Sequence, residues 1–135
     1  MLRGLFAVLL LAVFSCLAAP GDWTQWRGPN RDGISTETGL LKEWPSGGPP
    51  LVWKAKGLGH GFSTVSIASD RIFTMGDGPD SSFVRALSLS DGKLLWSTPV
   101  GRPGGDHPGT RSTPTIDGDL VFALGQFGDL ICVEA

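Results

Sequence analysis

The sequence predicts an all-β chain: β-propeller blades of four antiparallel strands forming an incomplete ring, preceded by a signal peptide and an irregular arm. Residues 63–76 are written again at 112–125, 49 positions later, with Ser, Thr, Ile, Asp, Phe and Gly at identical places. Ser66/Thr115, Ile72/Val121 and Met75/Leu124 are conservative exchanges within that repeat. A period of this size marks units that cannot bury their apolar faces alone and need neighbours. Short alternating segments lie between turn residues, the pattern of hairpin-linked strands. Twenty glycines and ten prolines, with no ten-residue helical period after the leader, argue against long helices. A lone four-stranded sheet leaves two open edges and an uncovered apolar face, and radial repetition covers them.

The leader stands apart. Arg3 gives a positive start, residues 5–14 an apolar run, and Ser15, Cys16, Ala18 and Ala19 small residues before Pro20. This is the pattern of a secretory signal peptide, with an apolar run shorter than the about 20 residues that span a membrane. Residues 1–18 are therefore expected to be removed after Ala18, and the protein to be exported to the periplasm or the extracellular space. Val13-Phe14-Ser15-Cys16 also resembles a lipoprotein cleavage box, in which Cys16 would carry a lipid anchor; Phe14 departs from the small residue of that box. Removing 18 of 135 residues leaves 117, and because Arg3 is the one charged residue lost, the formal charge moves from −2 to −3. No basic block exists, which argues against nucleic acid as a partner. Cys132 is then the single cysteine, so no internal disulfide can form. In the run Leu130-Ile131-Cys132-Val133 it reads as a small buried hydrophobe.

Residues 19–50 read as an irregular arm rich in Gly, Pro and Trp, with Trp23 and Trp26 expected to pin it to a folded surface. Residues 37–43 are expected to form a short helical turn, and 46–50 a connector. Strands are expected at 51–55, 63–67, 71–75, 83–89 and 94–98. Ser69-Asp70 is the first hairpin turn, with Asp117-Gly118 expected in the same role in the second unit. Residues 90–93 form the next turn.

Ala86-Leu87-Ser88-Leu89-Ser90-Asp91-Gly92-Lys93-Leu94-Leu95-Trp96 resembles the repeat signature of pyrroloquinoline-quinone-like (PQQ-like) β-propellers, Ala-Leu-Asp-x-x-Thr-Gly-Lys-x-x-Trp. Ala86, Leu87, Gly92, Lys93 and Trp96 match, while Ser88 and Asp91 replace the usual Asp and Thr. Cys132-Val133-Glu134-Ala135 aligns with residues 86–89 at an offset of 46, because the loop 77–82 is longer in the first unit. The opening Trp23-Thr24-Gln25-Trp26-Arg27-Gly28-Pro29-Asn30-Arg31-Asp32-Gly33 is similar to the start of exported members, so the resemblance covers residues 22–135. It implies that Trp96 packs on the neighbouring blade. It also implies that Leu51-Val52-Trp53-Lys54, similar to Leu94-Leu95-Trp96-Ser97, is the outer strand of a further blade. Residues 51–135 would then hold one closing strand, one full blade and one partial blade. Four blades of roughly 40 residues exceed this length. The expectation is the amino-terminal piece of a longer protein, the alternative being a ring assembled from several copies.

The candidate chemistry is sparse. His60 and His107 lie in Gly/Pro-rich loops before the first strand of each unit. They are candidates for metal or acid/base work, although no metal-ligand spacing accompanies them. Asp77, Asp80, Asp106, Asp117 and Asp119 could be read as calcium ligands, but the ordered spacing of a calcium loop is absent, and solvated turn carboxylates are the simpler reading. No Gly-x-Ser-x-Gly elbow or phosphate loop occurs. No residue is assigned to catalysis or to a metal. The signature residues Ala86, Leu87, Asp91, Gly92, Lys93 and Trp96 are assigned to structure, and Arg111 is the one candidate for a charged side chain facing the axis. Two functions follow from the resemblance. One is a non-catalytic binding or scaffold module for a protein or polysaccharide partner. The other is a quinone-dependent (PQQ) alcohol or sugar dehydrogenase with calcium, whose vicinal cysteines and catalytic Asp would lie in further blades.

Overall fold

The computed structural model describes residues 21–135. The expected signal peptide and Cys16 lie outside the described residues. Seven strands form two antiparallel sheets, and the described residues contain no helix. The first sheet pairs β1 (Ser66–Ala68), β2 (Arg71–Asp77), β3 (Ser82–Ser88) and β4 (Leu94–Gly101) in chain order. The second pairs β5 (Thr115–Asp117), β6 (Leu120–Leu124) and β7 (Leu130–Glu134). The turns at 69–70 and 90–93 lie where the turn residues predict them. Pro99 sits in β4, an edge strand of its sheet, the position in which a sheet accommodates a proline.

Alternation decides which side chains meet. In the first sheet the register pairs Phe73 with Ala86 and Met75 with Val84, four buried apolar residues on one face. In the second, Val121 lies opposite both Ile116 and Val133, and Ala123 opposite Ile131. All nine side chains belong to one core, so the core is the join between the sheets. Trp96 on β4 closes it. Its ring lies 6.0 Å from that of Phe73, tilted 51°, and its Nε1–H donates to the Ala135 carbonyl at 2.8 Å.

The join is head to tail. Phe122 and Leu124 occupy the repeat positions of Phe73 and Met75, yet they pair with Cys132 and Leu130 on the face turned away from the core. The first sheet therefore presents one face of the repeat and the second sheet presents the reverse face. Equivalent atoms meet where the inner strands approach: Thr64 Oγ1 and Thr113 Oγ1, 49 residues apart, are 2.6 Å apart, and Ser66 Oγ donates to the Pro114 carbonyl.

Of the arm's first two tryptophans, Trp23 is the one that pins it. Trp23 exchanges two backbone bonds with Ile67 of β1 (2.7 and 2.8 Å), and the next carbonyl, Thr24, accepts from Ile116 of β5 at 2.8 Å. Residues 23–24 thus occupy the inner edge of both sheets, a place where unpaired strand groups would otherwise be open. The Trp23 ring lies against Gly28, which has φ 80° and no room for a Cβ. Trp26, by contrast, is 58% exposed and carries only the Arg27 guanidinium over its ring.

Several expectations are corrected. Residues 37–43 form no helical turn: Leu40 and Leu41 are exposed, and a segment this short with nothing to pack against does not hold a helix. Residues 51–55 form no ladder, since no strand lies beside them among the described residues. The first strand begins at Ser66 rather than at residue 63. Cys132 is exposed, because alternation along β7 sends Ile131 and Val133 to the core and Cys132 to the opposite face. The second hairpin turn is Gly118-Asp119, with Asp117 paired to Leu120 inside the ladder.

That turn carries a testable contrast. Ser69 and Asp70 both have positive φ (50° and 59°), the condition for a type I′ hairpin turn, whereas the second unit places Gly118 (φ 58°) where the first has Ser69. A side chain in the left-handed region costs about 1–2 kcal/mol, offset by the roughly 0.5–1 kcal/mol of chain entropy that glycine loses. Ser69→Gly is therefore expected to stabilise the chain by about 0.5 kcal/mol in urea unfolding; a loss of stability would contradict the turn assignment.

Candidate functional site

The loops 57–63, 77–82, 101–114 and 125–129 gather at one end of the two sheets, and the turns 69–70, 88–93 and 118–119 at the other. The first end is organised by Asp77, the last residue of β2 and only 5% exposed. Its Oδ1 accepts from Ser82 Oγ at 2.6 Å, and its Oδ2 accepts from the backbone N–H groups of Gly104 and Gly109, each at 3.0 Å. Its own backbone exchanges two bonds with His60 (2.7 and 3.0 Å). Burial pushes the Asp77 carboxyl up. The donated bonds from Ser82, Gly104 and Gly109, with the nearby His60, outweigh it and hold the group below its ordinary value. Asp77 thus ties together three loops, those that follow β2 and β4 through its carboxylate and the one that precedes β1 through its backbone.

Beside it Arg85 is almost fully buried within β3. Its Nη1 donates to the carbonyls of Leu58 (2.9 Å) and Gly76 (3.1 Å), and its guanidinium lies 4.8 Å from the Phe83 ring. Burial lowers its proton affinity. His60, Asp77, Pro79 and Arg85 line an open depression of about 410 Å³ there. Farther round the same end, Arg102 lies 3.8 Å over Phe127, and Arg111 lies 5.7 Å over Phe62 while donating from Nη2 to the His107 carbonyl at 2.9 Å. Both arginines and both phenylalanines are exposed. A guanidinium beside an aromatic ring puts N–H donors next to apolar area, a combination suited to carboxylates or sugar hydroxyls.

The sequence-predicted residues divide between the two ends. His60, His107, Asp77, Asp80, Asp106 and Arg111 belong to the loop end, and the loops carrying the two histidines touch, since Phe62 N–H donates to Thr110 O at 2.7 Å. Asp117 and Asp119 lie at the opposite end, so the five aspartates do not converge. Among the described residues no group of three or more His, Cys, Asp or Glu is placed to hold a metal ion. Nor is a helix long and apolar enough to cross a membrane. The elements expected around a quinone do not come together among the described residues either: Cys132 is the one described cysteine, and Trp96 is engaged with Phe73 and Ala135.

Residues 86–93 lie in β3 and in the turn that follows it. Ala86 and Leu87 are buried in β3. Asp91 accepts from the Lys93 ammonium (2.8 Å) and the Lys93 backbone N–H (3.2 Å) across the turn, and the Lys93 bonds, with help from Ser88, hold its carboxyl at about 2. Gly92 (φ 70°) lies under the Trp53 ring, where a Cβ cannot fit. The hub function of Asp77 and the burial of Arg85 were missed. An arginine between Val84 and Ala86 in an otherwise apolar strand was the available signal. No family model, curated protein or solved structure matches this chain.

Proposed function

We propose that the chain is an exported repeat module of PQQ-like β-propeller type that serves as a non-catalytic binding scaffold, holding a protein or polysaccharide partner at its loop end. The observation that carries the reading is the head-to-tail join, in which Phe73 and Met75 meet the reverse face of a sheet that repeats them 49 residues later. Stacking of this kind extends by adding sheets, and it collects every inter-strand loop of one type at one end. A rigid frame carrying variable loops is the ordinary arrangement for recognition. The paired surfaces Arg102–Phe127 and Arg111–Phe62 supply aromatic area and directed donors there.

Immobilised chain exposed to a periplasmic extract and to a panel of polysaccharides should retain a partner, and the double variant Arg102→Ala/Arg111→Ala should lose it at least tenfold. Retention of nothing, or retention indifferent to both arginines, would overturn the assignment. Dye-linked alcohol oxidation appearing on addition of quinone and calcium would replace it with the dehydrogenase reading.

A further inference from the structure

We infer that the depression beside Arg85 binds a small organic carboxylate, with the Arg85 guanidinium as its counter-ion. Arg85 pairs with Thr74 and stands between the core residues Val84 and Ala86, so alternation sends it to the face of the first sheet turned away from the second. The site is therefore separate from the Arg102 and Arg111 pairs and does not depend on the scaffold reading.

Arg85 is 8% exposed, and a guanidinium buried to this depth ordinarily has a carboxylate partner. Among the described residues it has none. The salt bridge found there joins Lys93 to Asp91, and Asp77 spends its two carboxylate oxygens on Ser82, Gly104 and Gly109. Burial lowers the proton affinity of Arg85, and no neighbouring charge opposes that effect. A bound anion would compensate the buried charge. The guanidinium is also only half used. Nη1 donates to the Leu58 and Gly76 carbonyls at 2.9 and 3.1 Å, and the Phe83 ring lies 4.8 Å away. The remaining N–H groups, on Nε and Nη2, have no acceptor among the described residues. No unpaired side-chain nitrogen there is sealed from solvent, so these donors are reached from outside, and Arg85 lines the depression.

The second unit shows that the architecture does not need this arginine. Arg85 pairs with Thr74 one position beyond Phe73–Ala86, and Ile131 pairs with Ala123 one position beyond Phe122–Cys132. Ile131 is thus the repeat equivalent of Arg85, an apolar side chain packed against the core. The Leu58 carbonyl packs on Gly76 as the Val100 carbonyl packs on Gly125, and these glycines are repeat equivalents too. Among the described residues no side chain donates to the Val100 or Gly125 carbonyl, yet the packing is kept. A charged, half-satisfied side chain at a position that an isoleucine fills is one whose free donors await a ligand.

Charge and size select that ligand. Nε–H and one Nη2–H of a guanidinium run parallel, the fork that matches the two oxygens of a carboxylate. A phosphate dianion would bring a second negative charge toward Asp77, which lines the same depression. The volume of about 410 Å³ falls within the about 300–1,000 Å³ of small-molecule sites and exceeds what a bare ion fills. His60 stands in the same wall, its backbone fixed by two bonds to Asp77. At Gly59 (φ 86°) a Cβ would collide with the Asp77 carbonyl, so that stretch of wall carries no side chain.

Heteronuclear NMR titration of the full chain with galacturonate and with N-acetylglycine tests the site. Either carboxylate should move the Arg85 Nε–H resonance and the backbone amides of Gly57, Gly59 and His60, and leave those of Arg102 and Arg111 in place. The tighter of the two tells whether the source is a sugar acid or an acyl amino acid. Galactose and inorganic phosphate should bind more weakly by about tenfold or more, the worth of a charge-assisted hydrogen bond. Arg85→Ile, which copies the second unit, should weaken the carboxylate by a similar factor with an unchanged circular dichroism spectrum. Arg85→Lys, which keeps the charge but not the parallel fork, should weaken it as well, so a failure of Arg85→Ile to fold leaves the test in place. Absent shifts, shifts centred on Arg102 or Arg111, equal binding of galactose, tighter binding of phosphate, or affinity indifferent to Arg85→Lys would each overturn the proposal.

Discussion

Phe73→Ala should cost about 3–5 kcal/mol of unfolding free energy, the range for removing a fully buried aromatic side chain. Phe73 is 1% exposed at the centre of the join, against Ala86 and under Trp96. Truncation leaves a cavity lined by both sheets, and the sheets are packed too closely elsewhere to collapse into it. The informative control is Phe122→Ala, the same repeat position in the second sheet. Phe122 is only partly buried, so its loss should be less than half as large. Urea unfolding followed by tryptophan fluorescence reads both. Equal losses at the two positions would mean that the sheets do not pack head to tail.

Asp77→Ala should lower stability by about 2–4 kcal/mol, because the Ser82 hydroxyl and the N–H groups of Gly104 and Gly109 are left without their shared acceptor in a buried place. Asp77→Asn should cost about 1 kcal/mol, since the amide oxygen still accepts both backbone bonds, while the charge is lost and the Ser82 hydroxyl must turn to accept from the amide nitrogen. The effect depends on pH with a definite sign. The carboxyl titrates lower in the folded chain than its ordinary value, so its contribution is fully present above about pH 4 and is lost as pH falls through the depressed folded value. Wild type should therefore lose stability in that acid window more steeply than Asp77→Asn. Parallel pH profiles would show that Asp77 does not hold the loop end together. Hydrogen exchange at Gly104 and Gly109 should accelerate in both variants, localising the loss to the 101–114 loop.

Much of the fold was legible because its signals are local. Alternation along residues 71–75 and 83–89 and the turn at Ser69-Asp70 each predict a hairpin strand without reference to anything distant. The 49-residue repeat adds that the two units share one pairing pattern. The failures fall where a neighbour decides. Residues 51–55 carry strand-forming side chains, but a ladder needs a second backbone. Cys132 lies in an apolar run, yet one position of β-sheet phase separates it from the core residues Ile131 and Val133. The helical turn at 37–43 depended on an apolar surface that the arm does not reach.

The loop end was the least legible part. His60, His107 and Arg111 were visible as chemistry-bearing residues, but Asp77 appeared as one solvated turn carboxylate among five. Its acceptors' partners lie at Ser82, Gly104 and Gly109, and only closure of the β2–β3 hairpin and return of the β4–β5 loop bring those donors to one carboxylate. Sequence alone determined the strand-and-turn grammar and the repetition, because both arise from backbone preference and period-two patterning within a few residues. Tertiary structure decided which face of each sheet is core, that the join runs head to tail, and that Asp77 is a hub, because burial and hydrogen bonding are set by partners far away along the chain.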